Sequence, residues 1–146
     1  MDIEFDTGYF VTRAARAFMR VAEARLRPLG IGVAHVPVLV CLAEEGPLTQ
    51  AEIAQRTYVE QPTAAALLQR MDKAGLIEKT PDRRDRRAVR ISLSTRAEEI
   101  MPEALALLAH ANGQATAGLS AEEIETLHSL LRPVVDNLSA MIDPRD

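Results

Sequence analysis

Apolar residues recur along this chain with two different periods, and these periods predict its secondary structure. Over residues 7–28, and again over 120–141, they follow the i, i+3, i+4 spacing of an amphipathic helix, with charged residues between them. Residues 89–93 alternate strictly between apolar and polar, which is typical of a strand. With the cap and turn signals described next, the pattern predicts helices over 7–28, 33–45, 49–56, 62–73, 95–116 and 120–141, and a hairpin of strands 76–80 and 89–93.

Capping residues and prolines set the predicted helix boundaries. A Ser or Thr followed three residues later by Glu can form a capping box, in which each side chain binds the backbone N–H of the other residue. Pro37 and Pro62 stand in first turns, where a missing N–H costs little. Pro133 lies inside the last helix and is expected to kink or break it. The sequence offers capping boxes at Thr49 with Glu52, at Thr95 with Glu98, and at Ser120 with Glu123.

The two shortest predicted helices and the hairpin follow one another directly. The helices 49–56 and 62–73 are separated only by the turn T-Y-V-E-Q and so form a helix-turn-helix. The loop between the two strands, residues 81–88, reads P-D-R-R-D-R-R-A. This order of elements is that of a winged helix, and we call residues 81–88 the wing loop. The predicted fold class is therefore mainly α with a small β-hairpin wing (α+β).

The wing loop changes how the net charge is interpreted. The chain as a whole carries −4, which argues against a polyanionic partner. Residues 70–96, however, hold nine Lys and Arg against four acids, a local charge of +5, and the remainder carries −9. Arginine binds phosphate through paired hydrogen bonds, and a helix with an adjacent wing can occupy neighbouring grooves of B-DNA. The distribution of charge therefore predicts DNA binding.

Composition and motifs exclude several other classes of protein. A chain of 146 residues that is 47% hydrophobic is expected to fold as a soluble domain without disulfides, and its single cysteine fits a reducing cytoplasm. The N-terminal residues mix acids with arginines, unlike a signal peptide, and no apolar run is long enough to span a membrane. No phosphate-binding glycine loop, nucleophile elbow or pair of metal ligands occurs. We expect a cytoplasmic protein that is not an enzyme and has no cofactor, metal or membrane partner.

Three stretches of the chain carry a resemblance to a known family. They are L-T-Q-A-E-I-A-Q-R-T (48–57), E-Q-P-T-A-A-A-L-L-Q-R-M-D-K-A-G-L-I-E-K (60–79) and D-R-R-D-R-R-A-V-R-I-S-L-S (82–94). The sequence resembles the MarR (multiple antibiotic resistance regulator) family of winged-helix transcription factors, most specifically in the D-x-R of Asp85, Arg86 and Arg87. The resemblance implies a sequence-specific regulator, by default a repressor, that binds a pseudo-palindromic double-stranded operator as a homodimer.

The resemblance also implies how the 146 residues are organised as a single MarR-like chain. Residues 33–94 would form the winged helix-turn-helix DNA-binding domain, and residues 1–32 and 95–146 a helical dimerisation region. Independently, the first helix and the last two helices are too apolar for a small winged domain to cover. A partner chain would cover them; the alternative is a helical bundle within one chain.

By the same resemblance, residues 61–73 form the recognition helix. Its period assigns Ala64, Leu67, Leu68 and Met71 to the core. On the opposite side, glutamine can bind base edges and alanine can contact a thymine methyl group, while Thr and Arg suit phosphates. In the wing, the acid of the D-x-R is expected to orient a neighbouring guanidinium. The predicted DNA-binding residues are Gln61, Pro62, Thr63, Ala65, Ala66, Gln69, Arg70, Arg83, Arg84, Asp85, Arg86 and Arg87.

Family members often release DNA when a small effector, commonly an aromatic acid, binds a cleft between the dimer helices and the winged domain, and the resemblance implies such a site here. The candidates to pair with an anionic ligand are Arg16, Arg20 and His35, and Tyr9 with Phe10 would supply stacking. The alternative is that the two arginines form surface ion pairs and that His35 only begins a helix.

Two alternative functions remain open at this point. A winged helix can serve protein contact alone, although that role does not need five arginines. A redox-sensing regulator would use Cys41, but this residue stands within V-L-V-C-L, an apolar helix face. We therefore expect Cys41 to be a buried and unreactive thiol with a raised pKa.

Overall fold

The computed structural model describes residues 5–142, and it confirms the predicted fold class. Short 3₁₀ turns precede and follow the chain reversal near Gly30. The terminal residues 1–4 and 143–146 of the predicted dimerisation region lie outside the described residues. The elements are α1 (Thr7–Leu26), α2 (Val36–Glu45), β1 (Leu48–Thr49), α3 (Gln50–Thr57), α4 (Gln61–Lys73), β2 (Ile77–Pro81), β3 (Val89–Leu93), α5 (Thr95–Ala115) and α6 (Ala121–Met141).

The chain divides into two compact units, Met1–Ala111 and Asn112–Asp146. The first unit contains the sheet, helices α1 to α4 and most of α5. Its core is aliphatic, and side chains from α2, α3, α4, β3 and the first turns of α5 meet in it. The largest fully buried side chains of the core are Leu26, Val38, Leu39, Ile53, Leu68, Met71 and Leu76.

The sheet has the strand order β1-β3-β2, with both pairs antiparallel. The predicted hairpin is confirmed, although β2 begins one residue later than predicted and includes Pro81. The two-residue strand β1 was not predicted. It makes β3 the central strand, so that Arg90 lies opposite Thr49 on one side and Thr80 on the other.

Two of the predicted capping boxes are confirmed. Thr49 Oγ1 accepts the backbone N–H of Glu52 at 3.3 Å, and a carboxylate oxygen of Glu52 accepts the N–H of Thr49 at 2.8 Å. The pair at the start of α6 is equally reciprocal, with distances of 2.7 and 3.1 Å between Ser120 and Glu123.

The predicted cap of α5 is one residue out of place. Ser94, not Thr95, accepts the backbone N–H of Ala97, at 3.1 Å, so Thr95 is already the first residue of the helix. The buried Ser94 hydroxyl also donates to the carbonyl oxygen of Gly75 at 2.6 Å. This second hydrogen bond ties the start of α5 to the turn that ends α4 and selects serine over the adjacent threonine.

The prediction of a break at Pro133 is wrong. Helix α6 continues through this residue to Met141, and α5 likewise contains Pro102. A proline removes one backbone donor from a helix, and the other residues of these 21-residue helices retain theirs.

Arg96, near the start of α5, binds the ends of two other chain segments. Its guanidinium donates to the carbonyl oxygen of Ala74, at the end of α4, and to that of Leu29 at 3.5 Å. Both segments then turn through a glycine with positive φ, Gly30 at +74° and Gly75 at +71°. A Cβ atom at Gly30 would lie 2.7 Å from the guanidinium, so the absence of a side chain there makes room for Arg96.

No single helix between residues 5 and 142 is long and apolar enough to cross a membrane; residues 7–29 and 33–45 meet the length and apolarity criteria only as a pair bent by 86°. In the same part of the chain, no group of three or more His, Cys, Asp or Glu side chains is placed to hold a metal ion.

Candidate nucleic-acid interface

Helix α4 has one buried side and one exposed side. Its buried residues are those that the apolar period assigned to the core: Ala64, Leu67, Leu68 and Met71. The helix starts after Glu60, with Pro62 in its first turn, where proline is tolerated. Tight packing of the buried side fixes the rotation of α4 about its axis and therefore determines which side chains face outward.

The outward residues of α4 form a polar surface with a small apolar centre. Gln61 and Gln69 are separated by eight positions, which places them about 12 Å apart along the axis. Ala66 lies exposed between them, whereas Ala65, predicted to face outward, is half-buried. The exposed predicted residues of α4 are Gln61, Pro62, Thr63, Ala66, Gln69 and Arg70.

Tyr58, in the turn between α3 and α4, is a surface residue that the sequence reasoning missed. Its side chain is 97% exposed, and its backbone has a φ of 55°, the left-handed region that non-glycine residues rarely adopt. The conformation lets its N–H cap the last turn of α3. The sequence signal that could have identified it was an isolated aromatic residue in the turn before the recognition helix.

The wing loop is ordered by two aspartates whose Oδ1 atoms accept backbone N–H groups of the loop. Asp82 Oδ1 accepts the N–H of Arg84 at 2.7 Å and that of Asp85 at 3.3 Å. Asp85 Oδ1 accepts the N–H of Arg87 at 2.9 Å. Within residues 5–142 the Asp85 side chain forms no ion pair, so the expectation that it orients a guanidinium is wrong.

These turns leave the arginine side chains of the wing loop in solvent. Arg83, Arg84, Arg86 and Arg87 are all exposed, and none forms an ion pair with any carboxylate in the described part of the chain. The next arginine, Arg90, differs because it is partly buried and paired with Asp82. Hydrogen bonds from the Arg84 N–H and from the Arg90 guanidinium hold the pKa of Asp82 below its usual value. Asp82 therefore remains an anion at neutral pH and pairs with Arg90. Because Asp82 is paired with Arg90, it does not neutralise the four exposed arginines, whose charges can interact with a ligand.

The fold of this chain recurs in proteins of known structure. The MarR family model matches residues 29–88, which include the helix-turn-helix and the wing loop. The crystal structure of a probable transcriptional regulator from Pseudomonas aeruginosa is 30% identical, with 88% of this chain and 96% of that chain covered and a TM-score of 0.78. The chain belongs to the MarR family.

Two further solved structures support the assignment of this chain to the transcriptional regulators of the MarR family. A cysteine-to-serine mutant of MarR from E. coli, complexed with operator DNA, is 26% identical over 90% of this chain and 94% of that one, with a TM-score of 0.81. The transcriptional regulator SlyA is 25% identical over 92% and 95% of the two chains, with a TM-score of 0.83. The winged helix predicted from the order of elements is thus the fold of this MarR-family chain.

Three of the five candidate effector residues of this MarR-family protein lie together. Tyr9, Arg16 and Arg20 line one groove of about 710 Å³ along α1. Among the described residues, neither Arg16 nor Arg20 forms an ion pair, so the surface ion pairs considered as an alternative are absent there. Phe10 lines an adjoining pocket with Phe5 and Tyr9.

His35 does not join this groove and does not supply the cation that the prediction assigned to it. Its imidazole is partly buried, and Nδ1 accepts the N–H of Gly32 at 3.1 Å. Burial lowers the pKa of His35 and the nearby Arg70 lowers it further, against the smaller opposing effect of Glu23. The ring is therefore a neutral hydrogen-bond acceptor that shapes the turn before α2.

Cys41 lies in the buried side of α2, as expected. Burial raises the pKa of the thiol, and the carboxylate of Glu45 adds to the rise, against the opposite effect of Arg56. A thiol with a raised pKa is largely protonated at neutral pH, and the protonated form is a poor nucleophile. The geometry thus gives no support to the redox-sensing alternative.

Proposed function

We propose that this MarR-family protein is a cytoplasmic transcriptional repressor that binds a double-stranded DNA operator as a homodimer and is released by a small effector. The observation that carries the proposal is the placement of charge. Four arginines project from the wing loop of a chain that is otherwise acidic, and none of them has a carboxylate partner between residues 5 and 142. The operator-DNA complex of E. coli MarR, at a TM-score of 0.81, supports the same use of the fold.

Helix α4 and the wing loop would divide the recognition of DNA between them. Gln61 and Gln69 are suited to bind base edges in the major groove, and Ala66 to contact a thymine methyl group. Thr63 and Arg70 would bind phosphates. The half-buried Ala65 offers less contact surface than predicted. Because this helix presents few specific donors and acceptors, the wing arginines and the shape of the DNA would contribute much of the selectivity.

Homodimer formation is proposed from the apolar residues that each unit leaves exposed. Helix α6 contains no buried residue, and its apolar residues Leu130, Val135 and Leu138 are each at least half exposed. Helix α1, in the other unit, exposes Phe10 and Met19. Apolar surface left exposed on a helix in this way is typical of an interaction site. A two-fold dimer would cover it and would present two recognition helices to half-sites about one helical turn apart.

The effector is proposed to be a small anion, aromatic in part, that binds the groove of Arg16 and Arg20. Within residues 5–142 these two guanidinium groups have no carboxylate partner, which favours a carboxylate or phosphate ligand. The Tyr9 ring lines the same groove and itself packs against Phe5, Phe10 and the Arg13 guanidinium. All residues that line the groove belong to α1. A single helix cannot enclose a ligand, so the partner subunit of the proposed dimer would supply the opposite wall.

The proposal is tested by DNA capture. The purified protein is immobilised and mixed with sheared genomic DNA from its source organism, and the retained fragments are sequenced. We expect the fragments to share a pseudo-palindrome with half-sites about one helical turn apart. A variant with alanine at Arg83, Arg84, Arg86 and Arg87 is the control and is expected to retain little. Equal retention by the two proteins, or no shared sequence, would contradict specific DNA binding.

The same material separates DNA binding from the protein-contact alternative. Phosphate contacts release counterions, so the affinity for DNA is expected to fall steeply as salt rises. Sedimentation velocity of the free protein tests the dimer: a monomer at micromolar concentration would contradict it.

A further inference from the structure

Arg90 has a position and a set of partners that distinguish it from the other arginines near the wing. It lies in the middle of the sheet, on β3, between Thr49 of β1 and Thr80 of β2. Its side chain is about one-third exposed, whereas the four arginines of the wing loop are exposed. Arg90 was not among the DNA-binding residues predicted from the sequence.

The Arg90 side chain connects the wing to the helix-turn-helix. Its Nε donates to Asp82 Oδ2 at 2.7 Å, at the base of the wing loop. Its Nη1 donates to the carbonyl oxygen of Pro47 at 3.0 Å, in the segment that leads into β1. The same Nη1 lies 3.7 Å from a carboxylate oxygen of Glu52, the residue of α3 that closes the capping box. One planar guanidinium thus binds three chain segments at once.

The contact continues from Asp82 into the wing loop. While Oδ2 binds Arg90, Oδ1 of the same carboxylate accepts the N–H groups of Arg84 and Asp85. Asp85 in turn accepts the N–H of Arg87. A continuous series of polar contacts therefore runs from the N-terminus of α3, through the Glu52–Arg90 ion pair and the Arg90–Asp82 hydrogen bond, to the backbone that carries the exposed arginines.

We propose that Arg90 is a positioning residue, which uses Asp82 to hold the wing loop at a fixed place against the helix-turn-helix so that the wing arginines and α4 engage one duplex together. The inference rests on the proposed DNA binding and adds to it a residue that acts without contacting DNA. Strand β1 pairs only with Arg90 and Ile91 of β3, so the wing from there to its tip is a two-stranded ribbon. Such a ribbon twists and bends easily, and its hairpin hydrogen bonds alone do not fix its tip relative to a helix. The connection from α3 supplies that constraint.

The proposal makes a prediction whose sign is opposite to that of simple electrostatics. Asp82 is an anion beside four cations, so its removal should strengthen the attraction for DNA if charge alone mattered. If Asp82 instead anchors the loop, the Asp82→Ala variant binds DNA more weakly, because the arginines lose their fixed position. We expect a loss of about three- to tenfold, in the lower part of the range of roughly 2- to 150-fold that coupling within one hydrogen-bonded network produces.

The experiment compares variants by fluorescence anisotropy with a labelled mixed-sequence duplex of about three helical turns at low salt. Glu78→Ala is the matched control, since it removes an exposed carboxylate from β2, next to the same loop. We expect Glu78→Ala to bind as well as the unmodified protein or better. The Asp82→Ala variant is also expected to show a shallower dependence of affinity on salt, because fewer phosphates are contacted. A change in stability alone would not alter that slope.

A double-mutant cycle completes the test. Arg90→Ala and Asp82→Ala interrupt the same connection, so the double variant is expected to bind about as weakly as Arg90→Ala alone. Thermal unfolding establishes that each variant is folded; if Arg90→Ala fails to fold, the Asp82→Ala result decides, because Asp82 lies outside the strands.

Different results would overturn the inference and the proposed function. If the unmodified protein binds no duplex, DNA binding itself is wrong. If it binds, and Asp82→Ala binds equally or more tightly, or the losses of the two single variants multiply in the double variant, then Arg90 does not position the wing.

Discussion

Replacement of either Arg86 or Arg87 by alanine is expected to weaken DNA binding in a way that depends on salt concentration. Both side chains are exposed, and in the described residues neither has a carboxylate partner. Their charges are therefore not neutralised within the protein and are available to phosphates. The Asp85 carboxylate between Arg84 and Arg86 binds a backbone N–H instead. Loss of one such arginine is expected to remove one phosphate contact from each subunit.

The size of the effect follows from counterion release. Each phosphate contact contributes about 0.9 to the slope of log affinity against log salt concentration. A dimer carries two copies of the substitution, so the slope is expected to become shallower by about 1.8. When salt rises fourfold, from about 50 to about 200 mM, the ratio of the affinity of the unmodified protein to that of the variant is then expected to fall by about twelvefold. The variant is thus much weaker than the unmodified protein at low salt and closer to it at high salt.

The assay is a fluorescence anisotropy titration of one labelled duplex at four or more salt concentrations. Arg27→Ala is the matched control, because it removes one exposed arginine outside both the recognition helix and the wing loop. The control is expected to keep the slope of the unmodified protein. An unchanged slope for both Arg86→Ala and Arg87→Ala would refute the assignment of the wing loop to phosphate binding.

Three other predictions concern specificity, stability and pH. Gln61→Ala is expected to change the ranking of affinities among operator variants, measured by competition; a uniform loss would instead assign Gln61 to phosphates. Ser94→Ala is expected to lower the free energy of unfolding by about 2 kcal/mol in a denaturant titration, because a helix cap is lost and the Gly75 carbonyl loses a donor. Ser94→Thr retains the hydroxyl, and equal stability of the alanine variant would contradict this role. The hydrogen bond from the Thr49 N–H is the main cause of the lowered pKa of Glu52 in the folded protein. The ionised Glu52 carboxylate therefore stabilises the fold above the pKa it has in the unfolded chain, and this stabilisation is lost as pH falls through its lower pKa in the folded protein. In acid unfolding monitored by circular dichroism, Glu52→Gln is expected to show a weaker pH dependence in that window, and identical curves would argue against it.

Local patterns in the sequence predicted the elements of the fold and one side of the recognition helix. The 3.6-residue period of α4 identified its four buried residues because a helix fixes the direction of each side chain relative to its neighbours. The capping boxes at Thr49 and Ser120 were equally accessible, since both partners lie within three residues. The wing loop was found from its arginines and from its place between two predicted strands.

Features that depend on distant parts of the chain were not predicted. Strand β1 has two residues and no pattern of its own, and it exists because Leu48 and Thr49 pair with β3. The cap of α5 lies at Ser94 rather than at its neighbour because of a hydrogen bond to Gly75, 19 residues away. The role inferred for Arg90 depends on Pro47, 43 residues earlier. The spacing of apolar and polar residues within one element gives no information about contacts between residues so far apart in the sequence.

The double attachment of Arg96 bears on which substitutions evolution can accept at the two glycines beside it. An alanine at Gly30 would meet the tip of the Arg96 guanidinium, and its φ of +74° would disfavour a side chain even if Arg96 moved away from Leu29 and Ala74. At Gly75 only the backbone constrains the residue, because its φ is +71° and a Cβ atom there would lie 3.9 Å from Arg96, an ordinary contact. Among descendants of this lineage, glycine is therefore expected to persist at both positions, and loss of Arg96 is expected to remove only the steric part of the constraint at position 30.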